Sequence, residues 1–141
     1  MITTQAIIPP WVGAYIGIPF KERGRDASGL DCYGLLFHVY RNQYKISLPM
    51  YAERYSLQDR LSVAKVFFEE TTSARWRRVL REEAEPPDVL TMTLSFGSHV
   101  GILVTPDRFL HVLPGRETCV ERLQGVWERR IEGIYRHGAN V

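Results

Sequence analysis

The chain falls into two halves that differ in the period of their apolar positions. Up to Pro87 the apolar residues recur mainly at helical spacing, and beyond Asp88 they come as short β-branched runs separated by turn residues. Trp11, Tyr15 and Ile18 predict a short helix over Trp11–Ile18 behind Pro9-Pro10, and the Gly- and charge-rich stretch Lys21–Gly29 reads as a loop. From about Leu30 to Tyr44, apolar groups lie on both sides: Leu35, Leu36, Val39 and Tyr40 on one, Tyr33, Phe37 and Tyr44 on the other. That pattern predicts a largely buried helix. Ser47–Ser56, which contains Pro49, reads as a loop. Leu61, Ala64, Phe67 and Phe68 predict a more exposed helix over Leu57–Thr71. Thr72–Glu83 reads as a third, shorter helix, ended by Glu85-Pro86-Pro87 because the residue before a proline is pushed out of the helical region.

The second half predicts strands at Val89–Leu94, His99–Val104, Phe109–Leu113, Cys119–Leu123 and Ile131–Arg136. Gly97-Ser98, Pro106-Asp107 and Pro114-Gly115-Arg116 supply the turns. A helical half followed by an antiparallel meander is the α+β class. The 141 residues suit one domain, 1–141, and no repeat, low-complexity tract or linker divides them.

Composition narrows the function classes. Apolar residues make up 45% and charged residues 24%, the mixture of a folded globular protein. A net charge of +2 is too small to argue for nucleic acid as a partner, and the Arg-rich stretches Arg75-Trp76-Arg77-Arg78 and Glu128-Arg129-Arg130 read as solvated helix faces. No run is long enough to insert across a membrane. The opening Met1–Pro10 lacks a basic region followed by an apolar one, so the expectation is synthesis in the cytoplasm without a secretory signal. Cys32 and Cys119 are too few and too far apart for a disulfide framework or a Cys-x-x-Cys motif.

Candidate chemistry centres on Cys32, in Gly29-Leu30-Asp31-Cys32-Tyr33-Gly34-Leu35 at the predicted start of the buried helix. A thiol reacts as its thiolate, and a helix N-terminus offers free N–H groups and the positive end of the helix dipole. His99 and His111, 12 positions apart across the turn at Thr105-Pro106-Asp107, suit neighbouring arms of a hairpin. One histidine can then serve Cys32 as base while the second orients its ring. The same residue types also make a Cys-His-His zinc site, whose fourth position would go to a water or to a further ligand, for which Asp31 and Cys119 are weak candidates. Asp31 reads as the helix cap. Ser98 reads equally as a turn residue and as a partner near His99. His38 and His137 read as structural or exposed groups, and Cys119 as a small buried hydrophobe.

Leu30-Asp31-Cys32-Tyr33-Gly34-Leu35, Ser98-His99-Val100-Gly101-Ile102 and Phe109-Leu110-His111-Val112 resemble the three signature segments of the NlpC/P60 cysteine peptidases. Gly17–Gly24 and Pro87-Asp88-Val89-Leu90 extend the resemblance over most of the chain. It implies a papain-like core in which the helix opened by the nucleophile packs on an antiparallel sheet. It further implies Cys32 as nucleophile, His99 as base and His111 as orienting group, with no metal or organic cofactor. The implied substrate is the stem peptide of bacterial peptidoglycan, cut in bonds of the D-Glu–diaminopimelate type. The chain resembles the short members of the family found in phage tails and phage-like particles, which implies tail proteins as partners and delivery to the wall within such a particle; a cytoplasmic enzyme recycling wall peptides would share the same features. A weakly catalytic tail-assembly or wall-binding module with the same fold is the alternative. One departure bears on it: 12 positions before the cysteine, where many members carry tyrosine, stands Phe20, which cannot donate a hydrogen bond. Arg23-Gly24 likewise replaces the common Gly-Gly.

Overall fold

Asp31 starts the buried helix by satisfying one of its free N–H groups. Its backbone is extended and its carboxylate accepts the Gly34 N–H at 2.7 Å, so that helix α1 runs Cys32–Gln43. In the computed structural model, which describes residues 7–140, α1 is buried on both sides as the pattern predicts. Met1–Ala6 of the opening segment read for a secretory signal lie outside the described residues. Ahead of α1, the expected loop contains two short antiparallel strands, β1 (Arg25–Asp26) and β2 (Gly29–Leu30). Asp26 closes their turn by accepting the Ser28 N–H and hydroxyl. Gly24 permits the close approach of this ribbon, because a Cβ there would lie 2.0 Å from the Gly29 carbonyl oxygen.

The segment expected as a helix over Trp11–Ile18 is a 3₁₀ helix over Pro10–Tyr15 only. Beyond it the chain turns at Gly17, whose φ is +83°, and is captured by Thr118: the Thr118 hydroxyl accepts the Ile18 N–H at 2.9 Å and its carbonyl accepts that of Gly17. Those bonds hold Pro19 and Phe20 beside β2.

Helix α2 (Arg60–Thr71) forms close to the expected place, capped by Asp59, but it presents a different face. Val63, Val66, Phe67 and Glu70 are buried, whereas Leu61 and Phe68 are 81% and 68% exposed. Glu70 explains the rotation, since its carboxylate accepts hydrogen bonds from Tyr51, Arg75 and the Trp76 indole and must face inward to do so.

The third helix expected over Thr72–Glu83 is replaced by strand β3 (Trp76–Arg78) and a 3₁₀ turn at Arg81–Glu83. Sheet pairing and burial of the Trp76 ring against Tyr40 and His137 override the local helical pattern. Arg77 and Arg78 accordingly project from a sheet edge rather than a helix face, as edge strands usually carry charge.

The remaining strands are β4 (Val89–Leu94), β5 (Gly97–Thr105), β6 (Arg108–His111), β7 (Cys119–Arg122) and β8 (Ile131–His137). All pairings are antiparallel and the order is β3-β8-β4-β5-β6-β7. β4 to β7 form the expected meander, but β8 does not continue it. The chain reverses at Gly125 (φ +59°), makes the short helix α3 (Val126–Arg129), and returns to lie between β3 and β4. That return buries Ile134 with Leu90, Met92, Leu103 and Phe109 on one face of the sheet. The other face carries Val100, Ile102, Val104, Leu110 and Val112 against α1 and α2. β5 is therefore covered on both sides, and it is the strand that carries His99. No helix among the described residues is long and apolar enough to cross a membrane.

Candidate active site

Cys32 is the first residue of α1 and is partly buried. Backbone N–H groups of Val100 and Tyr33 reach its sulfur and favour a negative charge there, as does the Arg25 guanidinium. Burial wins over them, and with the adjacent Asp31 carboxylate it pushes the thiol up to about 12. At rest Cys32 is thus a thiol, one that would need a base before it could react, and not a standing thiolate.

The β5–β6 hairpin carries two histidines, His99 and His111. Its register pairs Ile102 with Leu110, which when extended sets Gly101 opposite His111 and His99 diagonal to it. Gly101 makes room for this: a Cβ there would come within 2.9 Å of the Phe109 ring and 3.6 Å of the His111 Cβ. Across that gap His99 Nε2 and His111 Nδ1 lie 2.8 Å apart. On the next strand Glu121 brings Oε2 to 2.6 Å from His111 Nε2. Both histidines are fully buried, with His111 packed between a tilted Phe109 ring and the Trp127 ring, which meets it edge to face.

These contacts fix every proton in the row. An ionised carboxylate only accepts, so His111 Nε2 carries its hydrogen; His111 Nδ1 must then accept, and His99 Nε2 must donate. His99 Nδ1 is left with a bare lone pair. That nitrogen is buried and has no hydrogen-bond partner among the described residues. Burial, with a smaller contribution from His111, holds the His99 imidazole down to about 3, and burial also lowers His111 against the opposing pull of Glu121. Both rings rest neutral.

Cys32 and His99 line one cavity of about 160 Å³, walled by Phe20, Phe96 and Val112, with Arg60 at its rim. It is small beside drug-sized pockets and suits the few atoms around one scissile bond. A thiol and a neutral imidazole in such a site can exchange a proton without changing the net charge. Each new charge then stabilises the other, which offsets the burial that disfavours either alone.

Asp31 anchors the start of α1 beside Cys32. Besides Gly34 it accepts from the Arg23 N–H at 2.8 Å, from Arg25 Nη1 at 3.1 Å, and from the Tyr55 hydroxyl. Arg25 in turn donates to Tyr55 at 2.8 Å and to the Met50 carbonyl. The cap expected of Asp31 is therefore the centre of a buried network.

Of the expected site residues, Cys32 and His99 line one cavity and His111 meets His99 from behind it. Ser98 lines the cavity without a hydrogen bond to His99 among the described residues. His38 bonds Asn42 within α1, and His137 packs on Trp76. Cys119 is not the buried hydrophobe expected; it is partly exposed beside His111. In the zinc alternative, Asp31 is committed to its network, and Cys32 belongs to no cluster of three metal-binding side chains among the described residues. Sequence reasoning missed Glu121, Arg25 and Tyr55. Glu121 follows Cys119 by two on a predicted strand and so shares its face, but only the β6–β7 pairing brings it to His111.

Comparison with known proteins gives the same architecture. The NlpC/P60 family model matches residues 17–136. The NlpC/p60 domain of the peptidoglycan hydrolase SagA superposes with a TM-score of 0.60 at 21% identity, covering 88% of this chain and 91% of that one. An NLP/P60-family protein similar to lipoprotein, from Staphylococcus aureus, gives 0.60 at 23% identity, covering 88% of this chain and 38% of its own. An NlpC/P60 family protein from Bacillus cereus gives 0.64 at 18% identity, covering 89% and 37%. The chain thus spans nearly all of the SagA domain but under two-fifths of the other two. No curated protein sequence matches it.

Proposed function

The chain belongs to the NlpC/P60 family, and on that footing we propose that it is a cysteine peptidase hydrolysing peptide bonds in bacterial peptidoglycan stems, of the D-Glu–diaminopimelate type. One observation carries the chemistry: the unpartnered, buried Nδ1 of His99, held as a lone pair by His111 and Glu121, in the cavity that Cys32 also lines.

In the proposed cycle the substrate carbonyl enters above Cys32. Sγ attacks the carbonyl carbon as His99 Nδ1 takes the thiol proton, and the carbonyl π electrons move to its oxygen. The new oxyanion meets backbone N–H groups at the start of α1, because Phe20 has no hydroxyl to offer. Collapse of the intermediate breaks the C–N bond, and His99 returns its proton to the leaving amine. Water, deprotonated by the same nitrogen, then releases the thioester as a carboxylate. His111 and Glu121 keep Nδ1 as the basic nitrogen and share the positive charge that forms on His99.

For the substrate class, the support is the description of SagA as a peptidoglycan hydrolase, together with Arg60 at the cleft rim, a cation suited to a carboxylate-bearing peptide. The test is digestion of purified peptidoglycan and of its stem tetrapeptide by reduced protein and by Cys32→Ala, with fragments read by mass spectrometry. Fragments with new amino termini that are absent from the Cys32→Ala digest are expected. Identical digests would overturn the reading in favour of a wall-binding or tail-assembly module, the alternative that Phe20 favours.

A further inference from the structure

Behind the histidine pair, on the side away from Cys32, lies a second cluster that the proposed cycle leaves partly unused. Cys119 is directly opposite His111 in the β6–β7 register, and Glu121 shares the face of Cys119 on β7. A ligand atom from each of the three lies within 4.8 Å of the others. We propose that Cys119, His111 and Glu121 form a site for a zinc-type divalent ion, and that its occupancy reverses the proton order of the histidine row. The second half of this proposal rests on His99 being the base; the first half does not.

The donor set is one thiolate, one imidazole nitrogen and one carboxylate oxygen. That mixture of soft and intermediate ligands suits zinc, which takes three protein ligands tetrahedrally and leaves the fourth position to water. The cage is half made. His111 is fixed by the Phe109 and Trp127 rings at 4.5 and 4.9 Å, so its nitrogen is a rigid ligand. Cys119 and Glu121 are partly exposed and provide both the entry and the adjustable ligands.

Binding rewrites the row as follows. The ion takes the His111 Nε2 lone pair and the Cys119 sulfur, whose proton leaves to solvent. The hydrogen that His111 Nε2 carried now sits on His111 Nδ1, so that atom becomes a donor to His99 Nε2. His99 Nε2 must then accept, and its hydrogen is carried on Nδ1. The pair has gained and lost no proton, yet the lone pair that faced the cleft is gone.

Cobalt reports the site without any need for activity. Reduced full-length Cys32→Ala protein titrated with cobalt(II) should bind one equivalent, with an intense near-ultraviolet thiolate-to-cobalt band that zinc displaces. Adding Cys119→Ser should abolish the band, and adding Glu121→Gln should weaken the affinity about 10–100-fold. Absence of the band, or its survival in Cys119→Ser, overturns the site. For the proton order, nitrogen NMR of the same Cys32→Ala protein should show the hydrogen of His99 moving from Nε2 to Nδ1 when zinc is added; an unmoved hydrogen overturns that half. In protein with Cys32 intact, Cys119→Ser should turn over at the parent rate without metal and resist zinc. Equal zinc inhibition of both would assign the inhibition to Cys32 and overturn the switch. An inactive parent would instead count against the proposed peptidase, leaving the cobalt result to stand on its own.

Discussion

Asp31, one residue before Cys32, and Glu121, behind His111, are carboxylates at opposite ends of the same row of groups. Asp31 is 1% exposed and takes donors from Gly34, Arg23, Arg25 and Tyr55, so every direction around it is occupied. The Glu121 side chain is 37% exposed and has, among the described residues, one hydrogen-bond partner, His111. A saturated, buried carboxylate fixes a backbone; a half-solvated one with a single partner sets where a proton sits while staying open to water or to a metal. The contrast separates the residue that builds the site from the one that tunes it.

The largest expected effect is at the saturated end. Asp31→Ala strands the Arg25 guanidinium, whose side chain is only 8% exposed, and should cost about 3–5 kcal/mol by chemical denaturation. Asp31→Asn should cost less, because an amide oxygen can still accept from Gly34. A loss below about 1 kcal/mol for Asp31→Ala would mean that Arg25 finds water freely, and the contrast would fail.

Acid should act next, through the other end. His99 is held down to about 3 against an ordinary 6.5, so below 6.5 the unfolded chain binds a proton that the folded one refuses. Stability should therefore fall as the pH drops from about 6.5 toward 3, by on the order of 2–4 kcal/mol. His99→Gln should flatten the profile of unfolding free energy over that range. An unchanged slope would show that the histidine row does not govern acid stability.

How much of this was legible beforehand follows the same division. Cys32, its cap and the His99–His111 hairpin are local: each is set by a helix start or by spacing across one turn, and one sequence suffices to read them. The third helix expected over Thr72–Glu83 failed because Trp76 pairs with His137 of β8, 61 positions onward, which no local period reports. Glu121 was missed for a related reason. Its chemistry depends on which strand β7 lies against, and on the 2.6 Å approach that this pairing allows. Arg25 and Tyr55 converge on Asp31 from β1 and from the loop ahead of α2. Chemistry made by neighbours in sequence could be read; chemistry made by strand order could not.

The tuning role predicts a moderate effect on rate. Glu121→Ala removes the acceptor that keeps the hydrogen on His111 Nε2 and should lower kcat about tenfold, equivalent to about 1.4 kcal/mol, with KM little changed. That is far less than the ~10⁴ lost when the group bonded directly to a catalytic histidine holds the wrong tautomer. Glu121→Gln should fall between the parent and Glu121→Ala, since its amide oxygen can accept the same hydrogen but carries no charge. A KM effect with kcat unchanged would place Glu121 in substrate binding instead.

The smallest effect is the one that decides the comparison. Removing Glu121 leaves the His111 Nε2–H without its partner inside a buried ring, and a donor stranded in that way ordinarily costs about 1–3 kcal/mol. Here the carboxylate occupies a solvent-facing position, so truncation opens a path for water to take its place, and a bridging water serves nearly as well as the direct bond. Glu121→Ala should accordingly lower stability by less than about 1 kcal/mol while slowing turnover, since a water can accept or donate and so holds the ring without dictating its tautomer. Denaturation of Glu121→Ala beside Asp31→Ala measures the difference directly. A loss above about 2 kcal/mol would show that water does not reach His111, making Glu121 a structural carboxylate like Asp31 and closing the entry on which the metal site depends.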